Sequence, residues 1–273
     1  MSESKTPSPA DIERAGRALE PFRRLISPLL IGTDNIPTDR PLLFVGNHTI
    51  YGLLDVPFMF LELYRATGIR LRALGDHVHF RIPFWRDLLR NFGVVDGTRE
   101  NCAALMADGQ CVLVFPGGAR EVAKRKGERY KLMWKERLGF VRLAVRHGCT
   151  IVPFSAVGAD DAFDILVDAN DLMKSPLGKL LRKLNVRADA LLPLARGIGP
   201  TPIPRPERFY FQYARPISTA EFAGQDGDDD VCQALRTQVA TAIESGIVDL
   251  KNVREKDPDR ALAPRLAKAL SLI

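Results

Sequence analysis

The sequence predicts an α/β protein: a single mixed, largely parallel sheet flanked by helices. Three observations carry that expectation. The short apolar runs "PLLFVGN", "RLRALG", "QCVLVFPGG" and "TIVPFSAVG" alternate with amphipathic segments of helical length, the order that buries a parallel sheet between helical layers. The runs close on glycine or asparagine, residues that suit a backbone leaving a sheet. The 273 residues are 46% hydrophobic and 26% charged, enough for one large core and too apolar for disorder.

Element by element, residues 9 to 30 predict two short amphipathic helices divided at Pro21, with Ile12, Ala15, Gly16 and Leu19 on one face and Phe22, Leu25, Ile26, Leu29 and Leu30 following among arginines. Such a segment either packs on the body or lies in a membrane interface with Arg14, Arg17, Arg23 and Arg24 toward head groups, so residues 1–30 are set apart as a membrane-associating unit. Residues 31–250 form the main domain. Within it "PLLFVGN" reads as a buried strand, and "VPFMFLELYRATG" as a helix with proline in its first turn and glycine after its end. Strand "RLRALG", helix "IPFWRDLLRNFG", strand edge "VVDGT", helix "RENCAALMADG" and strand "QCVLVFPGG" continue the alternation. Helix "WKERLGFVRLAVRHG", strand "TIVPFSAVG", a second basic amphipathic stretch at 172–184 and the late strand "RFYFQYARPI" follow. Asp229 to Leu250 and Asp259 to Leu270 read as helices, and residues 251–273 are expected to form a helical tail.

Composition narrows the function. No apolar run approaches the ~18 residues a membrane-spanning helix needs, and the first residues lack the basic start and apolar core of a secretion signal, so a cytoplasmic protein is expected. Cys102, Cys111, Cys149 and Cys232 show neither CxxC nor finger spacing, which points to reduced thiols and no metal. The chain carries a formal charge of +6, and between Arg120 and Arg146 ten Lys or Arg stand against three Glu. That stretch is expected to attract anions such as lipid head groups or a phosphorylated small molecule; without aromatic platforms or nucleic-acid signatures, nucleic acid is not an expected partner.

Two strand ends carry candidate chemistry. In "FVGNHTIYGLLDVP", His48 follows a strand where side chains reach the ligand crevice of an α/β sheet, and its imidazole suits proton abstraction from a hydroxyl. Asp55 is the nearest acid: either it orients the imidazole across a loop bent at Gly52, or it only caps the helix that follows. In "VLVFPGGAREV", Gly117 and Gly118 let the backbone approach a ligand and present N–H groups to an oxyanion or phosphate, with Arg120 as a fixed cation; a plain tight turn is the alternative. Arg99 leaves a further strand end in "GVVDGTREN". Asp76, His77 and His79 in "GDHVHF" lack a third spaced ligand and read as structural.

Taken together and in order, these stretches resemble the glycerolipid acyltransferase superfamily, the lysophosphatidate acyltransferase-like enzymes, and within it the diacylglycerol acyltransferase-like branch. The resemblance runs from about Pro41 to Ile217. "GNHTIYGLLD" is similar to the first motif, "GVVDGTREN" to the second with Arg99 at its arginine, "VFPGGAREV" to the third, and "TIVPFSAVG" to the fourth with Pro153 at its proline. Six residues separate His48 from Asp55 where the family usually has four, and Gly117 and Ala119 stand where phosphate-acceptor members carry glutamate and threonine. The resemblance implies a glycerol-phosphate acyltransferase-like fold and an O-acyltransferase on the cytoplasmic face of an anionic membrane. Its acyl donor would be acyl-CoA or acyl carrier protein as co-substrate, with no further cofactor, and its acceptor a neutral glyceride or long-chain alcohol. His48 would be the base, Asp55 its partner, Arg99 and Arg120 the phosphate contacts, and the Lys124 to Lys126 cluster a steering patch. A thioesterase using the same histidine and a non-catalytic lipid-binding protein are the alternatives.

Overall fold

The parallel strands end along one edge of a seven-stranded sheet, and that edge is where the candidate residues collect. A computed structural model of the chain describes residues 6–183 and 188–270. In order the elements are α1 (Pro9–Ile26), β1 (Leu29–Ile31), β2 (Leu42–Gly46), α2 (Val56–Thr67), β3 (Leu71–Gly75), α3 (His77–Phe80), α4 (Pro83–Asn91), β4 (Val95–Asp96), α5 (Arg99–Ala107) and β5 (Cys111–Val114). Then come α6 (Ala119–Val122), α7 (Gly139–Arg146), β6 (Thr150–Val157), β7 (Asp164–Val167), α8 (Ala169–Lys174), α9 (Pro176–Lys183), β8 (Leu194–Arg196), β9 (Tyr210–Tyr213), α10 (Asp229–Lys256) and α11 (Leu262–Leu270).

The sheet order is β1-β9-β6-β2-β5-β3-β4. Strands β6, β2, β5, β3 and β4 run parallel, while β9 lies antiparallel to β6 and parallel to β1, so the sheet is mixed and largely parallel as expected. Residues Leu42 to Val45 are fully buried because both faces are covered. One core packs Leu43, Val112 and Ile151 with Val141 of α7 and Ile243 of α10; the other packs Phe44, Leu113 and Val152 with Met59 and Leu63 of α2. Val45 of β2 pairs with Val114 of β5, so His48 and Gly117, each three residues further on, leave the sheet at the same level.

Several elements differ from the sequence reading for identifiable reasons. Pro21 does not divide α1: the helix runs unbroken through it, and the Arg17 carbonyl that loses its partner belongs to a turn where Arg17 and Pro21 are both exposed and water can replace the bond. Leu29 and Leu30 are not helical; Ser27 caps α1 in the left-handed region, and the chain turns into β1 beside β9. Helix α1 packs on α2, with Gly16 against Leu61 and Arg23 paired to Glu62 at 2.5 Å. "GDHVHF" is a helical turn, since the Asp76 carboxylate accepts the Val78 N–H at 3.1 Å and starts α3. "WKERL" is not helical either, α7 beginning only at Gly139; in the segment before it carboxylates hold backbone donors, Glu128 the Arg125 N–H, Asp160 the Tyr130 N–H and Glu121 the Met133 N–H. The ribbon β7–β8 was not foreseen. Helix α10 continues through residue 250 to Lys256, so no break separates a tail there. The stretch at 172–184 supplies α8 and α9, its last residue lying outside the described residues. Among the described residues no helix is long and apolar enough to cross a membrane.

Candidate active site

His48 sits just past β2, half-buried, with its ring stacked on Phe115 at 3.9 Å and 6° between planes. A Cβ at Gly52 would come within 2.7 Å of its Nε2, so only glycine lets the loop close over that side of the ring. Tyr51 and Gly52 both adopt positive φ, 61° and 64°. A tyrosine there is strained by on the order of 1 kcal/mol. It is held by its hydroxyl, which donates to the Pro193 carbonyl at 2.8 Å, and by an edge-on contact with Phe163. The loop from His48 to Asp55 is thus shaped from outside as well as by its own residues.

Asp55 is not hydrogen-bonded to the imidazole. Its carboxylate accepts the Thr49 hydroxyl at 2.8 Å, makes no side-chain cap to α2, and burial pushes its pKa up to about 6. The His48 Nδ1 is buried without a hydrogen-bond partner among the described residues. Burial first, then the neighbouring charge of Lys124, lowers the His48 pKa to about 3, so the ring is neutral at physiological pH. Of the two alternatives, orienting the imidazole is not what Asp55 does here: it stands at the N-cap position of α2, with Thr49 rather than a helix N–H on its side-chain oxygen.

The turn after β5 meets His48 through a residue the sequence reading did not single out. Glu121, with no exposed surface, folds back so that Oε2 accepts the His48 N–H at 3.3 Å and Oε1 accepts the Met133 N–H at 3.0 Å. Gly117 makes this possible: a Cβ there would lie 2.5 Å from the Glu121 Oε2. Gly118 serves a different need, φ 49° with ψ −138°, which side chains do not tolerate. Its N–H is taken by the Phe115 carbonyl at 3.0 Å, contrary to the expectation of a free donor. The N–H groups of Gly117 and Ala119 have no acceptor among the described residues.

The expected cations are placed unevenly. Arg120 is 6% exposed, bound to Glu128 at 2.5 Å and to the Ala123 carbonyl at 3.3 Å. Arg99 is exposed at the start of α5, and β4, which leads to it, lies three strands from β2, about 14 Å at ~4.8 Å per strand. Lys124 is buried rather than steering, 3.3 Å from Asp160, while Arg125 pairs with Asp189 and Lys126 with Asp171. Asp160, just past β6, also accepts the Ile50 N–H at 2.7 Å and so ties the His48 loop to a third strand end. Position after a strand was the one signal that pointed to Glu121 and Asp160. His77 bonds Asp96 at 2.6 Å and His79 accepts from Trp85 at 3.1 Å. The four cysteines are buried and free.

A model of the Acyltransferase family matches residues 29–157, from β1 to the end of β6, with every element just described from His48 to Glu121 inside it. The chain is 36% identical over 249 residues to Phytyl ester synthase 2, chloroplastic, of Arabidopsis thaliana, covering 85% of this chain and 35% of that protein. Residues 29–157 are an acyltransferase-family segment. A human protein, DGAT1/2-independent enzyme synthesizing storage lipids, is 30% identical over 134 residues, 48% of this chain and 40% of its own. Among solved structures, the 1-acyl-sn-glycerophosphate (LPA) acyltransferase PlsC from Thermotoga maritima shares the fold, with a TM-score of 0.53 at 17% identity over 89% of this chain and 78% of that one. The chain spans about a third of the length of the plant relative. Within the acyltransferase pattern, the Glu121 carboxylate occupies the space that a side chain at position 117 would enter, so the acid absent from the third motif returns from one helical turn later.

Burial pushes the Glu121 pKa up to about 7. A carboxyl raised in the folded state stabilises the fold below its unfolded value and loses that contribution as pH rises through about 7. Asp55 acts in the same direction but is finished near pH 6, and His48, lowered to about 3, acts oppositely and only below about 6.5. Between pH 6.5 and 8 the melting temperature is therefore expected to fall, and Glu121→Gln to flatten that slope; equal slopes in a pair of thermal scans would refute the assignment.

Proposed function

We propose that the chain is an O-acyltransferase that moves a fatty acyl group from a thioester donor, acyl-CoA or acyl carrier protein, to the hydroxyl of a neutral glyceride or long-chain alcohol. The observation that carries this reading is the placement of the neutral His48 ring at the sheet edge, level with the double-glycine turn whose Gly117 and Ala119 N–H groups are unclaimed among the described residues. His48 takes the hydroxyl proton, the oxygen attacks the thioester carbonyl, and the tetrahedral oxyanion is met by those two N–H groups, a kind of donor worth about 3 kcal/mol each. Collapse breaks the C–S bond, and the thiolate leaves with the proton His48 returns. Asp55, ionised above about pH 6 and anchored on Thr49 next to the base, supplies negative charge for the imidazolium.

Arg120, already engaged by Glu128, braces the turn, and the exposed Arg99 is left for phosphates of the donor. The names of the plant and human relatives, a phytyl ester synthase and a storage-lipid enzyme, favour an uncharged acceptor. Purified protein incubated with acyl-CoA or acyl carrier protein is expected to form ester only when diacylglycerol or a long-chain alcohol is present. Free thiol released at the same rate without acceptor would make it a hydrolase, and vesicle binding with no turnover on either donor a binding protein.

A further inference from the structure

We propose that the sheet edge around His48 is itself the surface that docks on a lipid bilayer with anionic head groups, in place of helix α1; this rests on the acyl-transfer reading above. Because β6, β2, β5 and β3 end along one edge, the segments that follow β3 and β6 stand as opposite banks to the loops that follow β2 and β5 and carry His48 and Gly117. Both banks expose large apolar side chains. On one, Val78, Ile82 and Phe84 of the α3–α4 segment are exposed, Phe84 by 82%. On the other, Leu192 and Leu194 lead into and begin β8, next to the Pro193 carbonyl that holds Tyr51 of the His48 loop. Leu53, 51% exposed, lies in that loop between them.

Isolated exposed apolar residues are ordinary, but a group of them on both sides of one pair of loops marks an interaction surface. Charge selects the occupant. Arg81 stands exposed between Val78 and Ile82 with no acidic partner among the described residues, the arrangement of a cation beside apolar side chains that interfacial segments present to anionic lipid. Helix α1, by contrast, has its apolar face against α2, with Leu19 and Ile26 packed on the core, and keeps Phe22 as its one large exposed apolar residue among those described. A bilayer seated on this edge delivers an uncharged acceptor to His48 without passage through water.

The two tryptophans supply the test. Trp85 lies on α4 beside Phe84, and Trp134 is buried in the core at 2% exposure. With vesicles of phosphatidylcholine and phosphatidylglycerol, Trp85 emission is expected to shift to the blue and to be quenched by brominated acyl chains, while a Trp85→Phe variant shows neither change. Ile82→Ser combined with Phe84→Ser is expected to weaken co-sedimentation roughly tenfold or more, and Phe22→Ser by less than about twofold. Both variants should retain turnover on a short-chain acceptor dispersed below its micelle concentration, which shows that they fold. Co-sedimentation without a Trp85 response, loss of binding in Phe22→Ser, or no co-sedimentation at all would overturn the proposal. Wild-type protein with no turnover on the dispersed acceptor would instead sink the acyl-transfer reading, whatever the vesicles show.

Discussion

Replacing His48 with alanine is expected to lower ester formation by a factor of about 10² to 10⁴, the range that a positioned general base supplies, while the protein still melts within a few degrees of wild type. The two halves of that expectation have separate causes. The other three histidines are engaged or distant: His77 is bonded to Asp96, His79 accepts from Trp85, and His147 ends α7 just before β6 begins, at the opposite end of the sheet. The imidazole makes no side-chain hydrogen bond among the described residues, so its removal leaves no buried partner unsatisfied. What is lost is the stacking on Phe115, worth roughly 1 kcal/mol, whereas the anchoring bond to Glu121 comes from the backbone N–H and survives the substitution. Transfer assays beside thermal melts check both halves. Near-normal turnover in a folded His48→Ala protein would remove the base from the mechanism.

The parts of this site that were legible in the sequence are those whose signal is local. A run such as "QCVLVFPGG" announces a buried strand and its exit within nine residues, and the level of His48 beside Gly117 then follows from pairing two such strands. Charge is different. Ten basic residues between Arg120 and Arg146 read as a free patch, yet Arg125, Lys126, Arg129, Lys135, Arg142 and Arg146 find Asp189, Asp171, Asp164, Asp189, Asp229 and Asp226, all far along the chain. A count over a window has no access to acids that the fold brings from elsewhere. Exposed pairs of this kind add little stability, but they do lower the charge offered to a membrane. The acids around His48 are hard to read for a related reason: spacing limits which residues are able to meet, whereas the places of Asp55, Glu121 and Asp160 are set by hydrogen bonds to Thr49, to the His48 N–H and to the Ile50 N–H.

Gly117→Ala is expected to cut turnover by about 10²-fold, because a single methyl group must displace the carboxylate that holds the base in place. The backbone of Gly117 is not in the left-handed region, so conformational freedom is not what the position requires; room is. The new Cβ would meet Glu121, whose two oxygens are already committed to the N–H groups of His48 and Met133, and overpacking of this sort costs about 1 to 3 kcal/mol. Glu121 is able to yield only by releasing one of those donors, which frees either the His48 loop or the 125–133 segment. A double-mutant cycle separates crowding from chemistry. Glu121→Ala alone is expected to lose activity by unpairing the two N–H groups, while Gly117→Glu combined with Glu121→Ala restores a carboxylate to the same space from the other side of the turn and should recover at least about tenfold over the worse single variant. Additive losses across the cycle, with all three proteins folded by thermal melt, would mean that the two positions do not share that space and that Glu121 does not anchor the base.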